Sequence, residues 1–126
     1  MAGRRSLVPT KKQTMCDARK YNIRDNDGRY LCPSCGFSGY FDGSSYDERG
    51  GIIASGICPC CGWEPGFDDD LSASGAPATI LESLRQHRQG WTSHLPAWSG
   101  SMIIIPLDWD GRAQLARLFE VAPYVR

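Results

Sequence analysis

The chain has 126 residues, 41% of them hydrophobic and 22% charged, with a formal net charge of zero. That length fits one domain with a modest core, and the ordinary apolar fraction excludes global disorder. The longest apolar run, Met102 to Ile105, falls far short of the roughly 18 residues of a membrane helix, and no apolar stretch follows the basic residues Arg4, Arg5, Lys11 and Lys12 as a secretory signal would need.

The chain is therefore expected in the cytoplasm, with no membrane partner. Paired cysteines hold metal there more often than they form disulfides. The zero net charge conceals a division. Residues 1–29 carry eight Lys or Arg against three Asp or Glu, residues 30–84 one against eight, and residues 85–126 five against three. The central stretch is acidic, which repels nucleic acid and attracts basic surfaces.

Residues 1–14 read as a flexible basic tail, and residues 15–126 as a single domain. Met15 is a second candidate start. Asp25-Asn26-Asp27-Gly28 signals a turn, after which Tyr30-Leu31 forms a short strand. Asp42 to Gly51 reads as a polar loop, Ile52 to Ile57 as a strand, and Asp68 to Pro77 as loop again. After Pro77, Thr79 and Glu82 make a capping box that opens a helix, with Ile80, Leu81 and Leu84 on its apolar face. Gly90 is its natural stop. Met102 to Ile105 reads as a buried C-terminal strand ended by Pro106. Asp108 or Asp110 caps a last helix with Leu115, Leu118, Phe119 and Ala122 on one face, ended by Pro123.

Two strands in this reading lead into cysteine pairs: Cys32-Pro-Ser-Cys35-Gly and Cys58-Pro-Cys-Cys61-Gly, both of the form C-P-x-C-G. A two-residue gap points both sulfurs into one tight turn. The following glycine lets the backbone bend so that amides face the sulfurs. Twenty-two residues separate Cys35 from Cys58, near the spacing of a four-thiolate tetrahedral site. The predicted cofactor is one structural Zn2+ per chain, held by Cys32, Cys35, Cys58 and Cys61. Iron in a rubredoxin-like role is the competing metal, and free thiols or disulfides are the bland alternative. Cys60 sits inside the second pair and reads as a spectator, as does Cys16. A closed four-thiolate zinc has no open position for water or substrate, so the site predicts metal-coupled folding and not an enzyme.

The fold expected is thus α+β: a small zinc ribbon of short antiparallel strands and two C-P-x-C-G knuckles, with two helices and a C-terminal strand packed on it. The wider context runs Tyr30-Leu-Cys-Pro-Ser-Cys-Gly-Phe, Tyr46-Asp-Glu, and then Ile57-Cys-Pro-Cys-Cys-Gly-Trp-Glu-Pro-Gly-Phe-Asp-Asp-Asp70, with Leu84-Arg85, Trp91, Pro106-Leu-Asp-Trp-Asp and Gln114-Leu115 beyond. This resembles the bacterial cysteine-rich CPCC-type zinc-ribbon proteins across roughly residues 30–120. It departs from them in the basic tail and in the connection around Pro96-Ala-Trp98. Such proteins are often associated with polymorphic toxin systems. The resemblance implies an immunity protein whose partner is a cognate, cytoplasm-acting protein toxin.

Glu64, Asp68, Asp69 and Asp70 follow the second pair and read either as an acidic patch fitted to a basic cleft, such as that of a nuclease toxin, or as a solvated loop. Trp63 and Trp109 are expected inside. Trp91 and Trp98 read as exposed partner anchors or as further core. His87 and His94 lack an adjacent nucleophile and read as surface or capping residues. Two other functions stand beside toxin neutralisation. A nucleic-acid-binding ribbon draws on the basic tail but is opposed by the acidic central half. An electron carrier would require iron.

Overall fold

The computed structural model describes residues 18–38, 43–47, 56–72, 74–93, 98 and 107–126. Among them lie a two-stranded antiparallel sheet, of β1 (Ile23–Arg24) and β2 (Tyr30–Leu31), and two helices, α1 (Ile80–Thr92) and α2 (Gly111–Val121). Single 3-10 turns at Arg19–Tyr21 and Pro123–Val125 frame them. The α+β class expected from the sequence is present in this form.

The hairpin forms where the turn residues demand it. Asp25 Oδ1 accepts from the amides of Asp27 and Arg29 at 2.9 and 3.0 Å. Gly28 takes the positive φ of +84° that a side chain would resist. Pairing places Ile23 opposite Leu31, both buried. On the other face the Arg24 guanidinium lies 5.0 Å from the Tyr30 ring centroid. Leu31 also bridges to Ser38, so β2 enters the first cysteine pair already tied to the chain that leaves it.

Helix α1 starts at the expected capping box. Thr79 Oγ1 accepts from the Glu82 amide at 3.1 Å and donates to Glu82 Oε1 at 3.3 Å. The helix does not stop at Gly90 but runs two residues further. Trp91 supplies the reason. It is only 8% exposed, and burying an indole outweighs the roughly 1 kcal/mol that an interior glycine costs a helix. Thr92 Oγ1 then caps the end by bonding back to the Arg88 carbonyl at 3.0 Å.

Helix α2 is capped by Asp110, which accepts from the amides of Arg112 and Ala113 at 3.0 and 3.1 Å. Leu118 and Ala122 are buried and Leu115 and Phe119 partly so, as their spacing predicts. Pro123 ends the helix and opens the final turn, which buries Val125. Arg85 donates twice to the Arg126 carbonyl at 2.7 and 2.9 Å, and the Tyr124 hydroxyl donates to the Lys20 carbonyl at 2.6 Å. Both ends of the described chain are thereby fixed to α1 and to the first 3-10 turn.

The core gathers Ile23, Leu31, Tyr46, Trp63, Leu84, Trp91, Leu118 and Val125 around buried cysteines. Of the strand expected over Ile52 to Ile57, the described end, Gly56 and Ile57, is in no strand, and Ile57 is 54% exposed. The rest of that strand, the tail, Cys16, His94 and the strand over Met102 to Ile105 lie outside the described residues. Among the described residues no helix is long and apolar enough to cross a membrane.

Candidate metal centre

Both cysteine pairs sit in turns with the same backbone bonding. In the first, the Cys32 amide donates to the Phe37 carbonyl at 2.9 Å and the Gly36 amide to the Cys32 carbonyl at 2.8 Å. In the second, Cys58 donates to Trp63 and Gly62 to Cys58, each at 2.8 Å. Gly36 and Gly62 take φ of +88° and +84°. The left-handed conformation is what reverses the chain after each second cysteine. Pro33 and Pro59 are both buried under these turns.

The turns bring four sulfurs together. The ligand atoms of Cys32, Cys35, Cys58 and Cys61 all lie within 4.8 Å of one another. Two approaches run between the turns, Cys32 to Cys61 and Cys35 to Cys58, each at 3.7 Å. A disulfide needs sulfurs about 2.05 Å apart, so neither pair is one. A tetrahedron with metal–sulfur bonds near 2.3 Å has edges of about 3.8 Å. The observed 3.7 Å contacts fit that edge. The four cysteines are positioned to hold one metal ion, and all four are buried. The same distances suit zinc and iron alike.

The helices supply what the turns lack. His87 and Arg88, neighbours on α1, reach opposite turns. His87 Nε2 donates to the Cys61 carbonyl at 2.8 Å, and its ring meets Trp63 edge-on at 5.4 Å. Arg88 donates to the carbonyls of Ser34 and Pro33 at 2.7 and 3.0 Å, and its guanidinium lies 4.9 Å from the Phe119 ring centroid. Gln114 of α2 donates through Nε2 to the Cys35 carbonyl at 3.0 Å and to Cys60 Sγ at 3.5 Å, so it also spans both turns. Its Oε1 accepts from the Trp109 indole at 3.1 Å. Gly36 lets α2 come this close: a Cβ there would sit 2.9 Å from the Gln114 carbonyl oxygen and 3.0 Å from Leu118 Cβ.

Sequence reasoning missed Arg88 and Gln114 as parts of the site. A signal was available in their phase. Leu84, Arg88 and Trp91 recur at i, i+4 and i+7, and Gln114 and Leu118 at i and i+4, so both polar residues fall on the core-facing stripe. A long polar side chain on that stripe needs a buried partner.

Charge at the centre follows from burial. Burial pushes the Cys32 and Cys35 thiols well above their ordinary value. Hydrogen bonds from Cys32, Cys35 and Cys58 hold Cys61 far below it. Without a cation, burial therefore disfavours the thiolates of Cys32 and Cys35. A divalent cation reverses the balance, because it binds the thiolates and releases their protons. Four thiolates around a divalent ion leave a net charge of about −2. The buried guanidinium of Arg88 faces that charge. Burial pulls its pKa down while Cys32, Cys35 and Cys61 act to raise it. Burial also opposes protonation of His87, but the hydrogen bond and charge of Cys61 outweigh it and shift His87 upward. Cys60, the expected spectator, is fully buried with Gln114 on its sulfur.

The acidic stretch after the second turn is a built loop. Asp68 Oδ2 accepts from the Glu64 amide at 2.7 Å, Asp69 Oδ1 from the Gly66 amide at 2.6 Å, and Asp70 Oδ1 from the amide and hydroxyl of Ser72 at 3.0 and 2.6 Å. Asp69 turns inward and is 6% exposed, so it has little face for a partner. Its Oδ2 is buried without a hydrogen-bond partner. The Tyr46 hydroxyl, which accepts from the Trp63 indole at 3.2 Å, acts on it through its dipole without standard hydrogen-bond geometry. Burial raises the Asp69 carboxyl above its ordinary range against the pull of Tyr46 and Gly66. Glu64 and Asp68 are half-buried and Asp70 is exposed.

The two candidate tryptophan anchors fare differently from that expectation. Trp91 belongs to the core, where the last turn of α1 carries it, so the exposed-anchor reading does not hold for it. Trp98 is half-buried and packs edge-on between Phe37 at 5.4 Å and Trp109 at 5.6 Å. Trp63 is fully buried as expected, and Trp109 partly.

Fold and site together define a small α+β chain whose core is organised on a cluster of four cysteines positioned to hold one metal ion. Compared with protein-family models, curated proteins and solved structures, the chain matches none.

Proposed function

We propose that the chain is a zinc-stapled binding protein and not an enzyme, and that it neutralises a basic, cytoplasm-acting protein toxin by covering its active cleft. The observation that carries the reading is the closed sulfur set. Four buried sulfurs within 4.8 Å of one another, two of their separations at the tetrahedral edge length, would fill the four positions of an ion and leave none for water or substrate. The metal then serves the fold, and the fold presents the acidic loop that leaves the second turn. Acidic charge on the central half suits a nuclease-like cleft built to grip phosphate, and complementary charge speeds the encounter. Toxin neutralisation rests on the resemblance in the cysteine turns and the Trp63-Glu64 to Asp70 segment.

Two measurements test it. Elemental analysis of the purified chain should give one zinc per chain in a colourless preparation. A red preparation with iron would make it an electron carrier. The product of the adjacent gene, purified, should bind the chain and lose its toxicity when the two are co-expressed. A chain that neither binds nor protects against it is no immunity protein.

A second reading has an observation of its own. Arg24 stacks on Tyr30 at 5.0 Å and Lys20 on Tyr21 at 5.4 Å, which puts cations and rings together near the hairpin. That is the chemistry of a nucleic-acid contact. A salt-dependent mobility shift with single-stranded DNA or RNA would favour it.

A further inference from the structure

Of the six exposed large apolar side chains among the described residues, Ile57, Phe67 and Leu71, at 54%, 71% and 39% exposed, belong to the short segment that carries the second cysteine turn and the acidic loop, while Leu107, Val121 and Tyr124 lie towards the C-terminus. The Cys58 amide bonds to the Trp63 carbonyl. Ile57 and Glu64 are therefore the next residues outward on the two arms of one closed turn. From Glu64 the chain folds over itself: the amides of Phe67 and Asp68 both return to the Glu64 carbonyl at 3.1 and 3.0 Å. Phe67 is exposed on this fold, whereas Trp63 and Pro65 just before it are fully buried, and Asp68 to Asp70 follow it in the chain.

An exposed phenylalanine on a floppy loop means little. This loop is fixed by its own carboxylates, each of Asp68, Asp69 and Asp70 satisfying a backbone amide. A fixed loop has little conformational freedom left to lose on binding. Rigid aromatic side chains ringed by polar groups are what interface hot spots are made of. The charge of the ring chooses the occupant. Residues 63–72 carry four Asp or Glu and no Lys or Arg, so an anionic lipid surface or the same loop of a second copy would be repelled and a basic surface attracted.

We infer that Phe67, with Ile57 and Leu71 of the same segment and the carboxylates of Glu64, Asp68 and Asp70 close to it in the chain, is the anchor by which this chain docks into an apolar socket rimmed with Lys and Arg on a basic protein. The inference rests on the neutralisation reading and names the part of the surface that performs it. It moves the centre of the interface from the tryptophans to Phe67. Phe67 fills the socket and sets how long the complex lasts. The carboxylates steer the encounter and set its salt dependence.

The test uses the full chain with its metal, and as probe the purified product of the adjacent gene, at about 150 mM salt. Phe67→Ala should weaken binding about thirtyfold or more, chiefly by faster dissociation. Asp70→Asn should slow association and flatten its salt dependence. Val121→Ala, an exposed apolar residue on α2 (43% exposed), should change nothing. Zinc content and circular dichroism report folding, and Phe67 is exposed enough for its variant to retain both. Wild-type affinity in Phe67→Ala overturns the inference and leaves neutralisation standing. No binding by the wild-type chain overturns both. Self-association that Phe67→Ala abolishes would show a second copy in the socket's place and would also overturn the inference.

Discussion

The two cysteine turns begin alike and end differently. Each carries the same pair of backbone bonds and a glycine at positive φ, so their local sequence sets one geometry twice. Their surroundings then separate them. The first turn is built in: Leu31 bridges Ser38 across it, Arg88 holds two of its carbonyls, Gln114 a third, and α2 lies against Gly36. The second turn meets the scaffold through Cys61, Trp63 and the sulfur of Cys60, and then sends its chain outward as the loop that carries Phe67. One motif thus supplies both a foundation and a presenting surface. The difference lies in the helices that reach each copy.

The strongest test of that comparison removes what the turns share. Cys58→Ser takes one sulfur from the second turn, yet it should unfold the first as well, because a single ion held by all four cysteines would join them. Structural zinc is worth about 10–16 kcal/mol in small domains, which is as large as a domain's whole stability of about 5–15 kcal/mol. Far- and near-UV circular dichroism should collapse on mutation, and in the wild type on treatment with a strong chelator. Native spectra from a chain that has lost its metal would show that the apolar core stands alone.

Arg88 comes next, and it separates the turns. Arg88→Ala leaves two buried carbonyls of the first turn unpaired and should cost about 2–5 kcal/mol in urea unfolding. Arg88→Lys keeps the charge but loses the forked geometry that meets both carbonyls, so it should recover only part of the loss. Full recovery by lysine would mean that charge opposite the sulfurs matters more than the latch.

Gly36 gives a smaller and sharper contrast. Gly36→Ala combines a left-handed backbone with a Cβ only 2.9 Å from the Gln114 carbonyl oxygen. Gly28→Ala has the backbone strain alone, with nothing within 4 Å of its Cβ. The hairpin change should cost about 1–2 kcal/mol, and the Gly36 change clearly more, because α2 must move. Equal losses in thermal denaturation would show that α2 yields freely.

The smallest effect belongs to the second turn. Burial raises the folded-state pKa of Asp69 above its ordinary 3.8. Its ionisation therefore costs stability once the pH has risen through that folded value, and the cost disappears as the pH falls toward 3.8. Asp69→Asn should be more stable than the wild type at neutral pH, with the gap in urea midpoint narrowing on acidification. A variant that is less stable at neutral pH would mean that the Gly66 and Tyr46 dipoles hold the carboxylate better than burial penalises it.

What could be read from the sequence was local. Asp25 to Gly28 bends because short-range hydrogen bonds and one glycine suffice, and Thr79, Glu82 and Asp110 cap their helices within one turn of chain. The four cysteines follow from spacing alone. The partners that Arg88 and Gln114 find in the cysteine turns lie 54 to 79 residues away, and no spacing rule pairs residues across such gaps. Gly90 misled for the same reason: the glycine speaks to its neighbours, whereas Trp91 answers to a core assembled from distant segments. The acidic triplet read as one patch because charge was counted without direction. In the fold one of its three carboxylates points inward.

The adjacency of His87 and Arg88 on α1 has a kinetic consequence. A single rigid rod lies across both halves of the sulfur set, and α2 holds it again through Gln114. Cys32, Cys35, Cys58 and Cys61 are at most 6% exposed. An ion held by them would meet a chelator in solution chiefly when a helix lifts. Metal exchange from this chain should therefore keep time with the partial opening of its fold, whatever the ion's own lability, and hydrogen exchange at the α1 amides should run on the same clock.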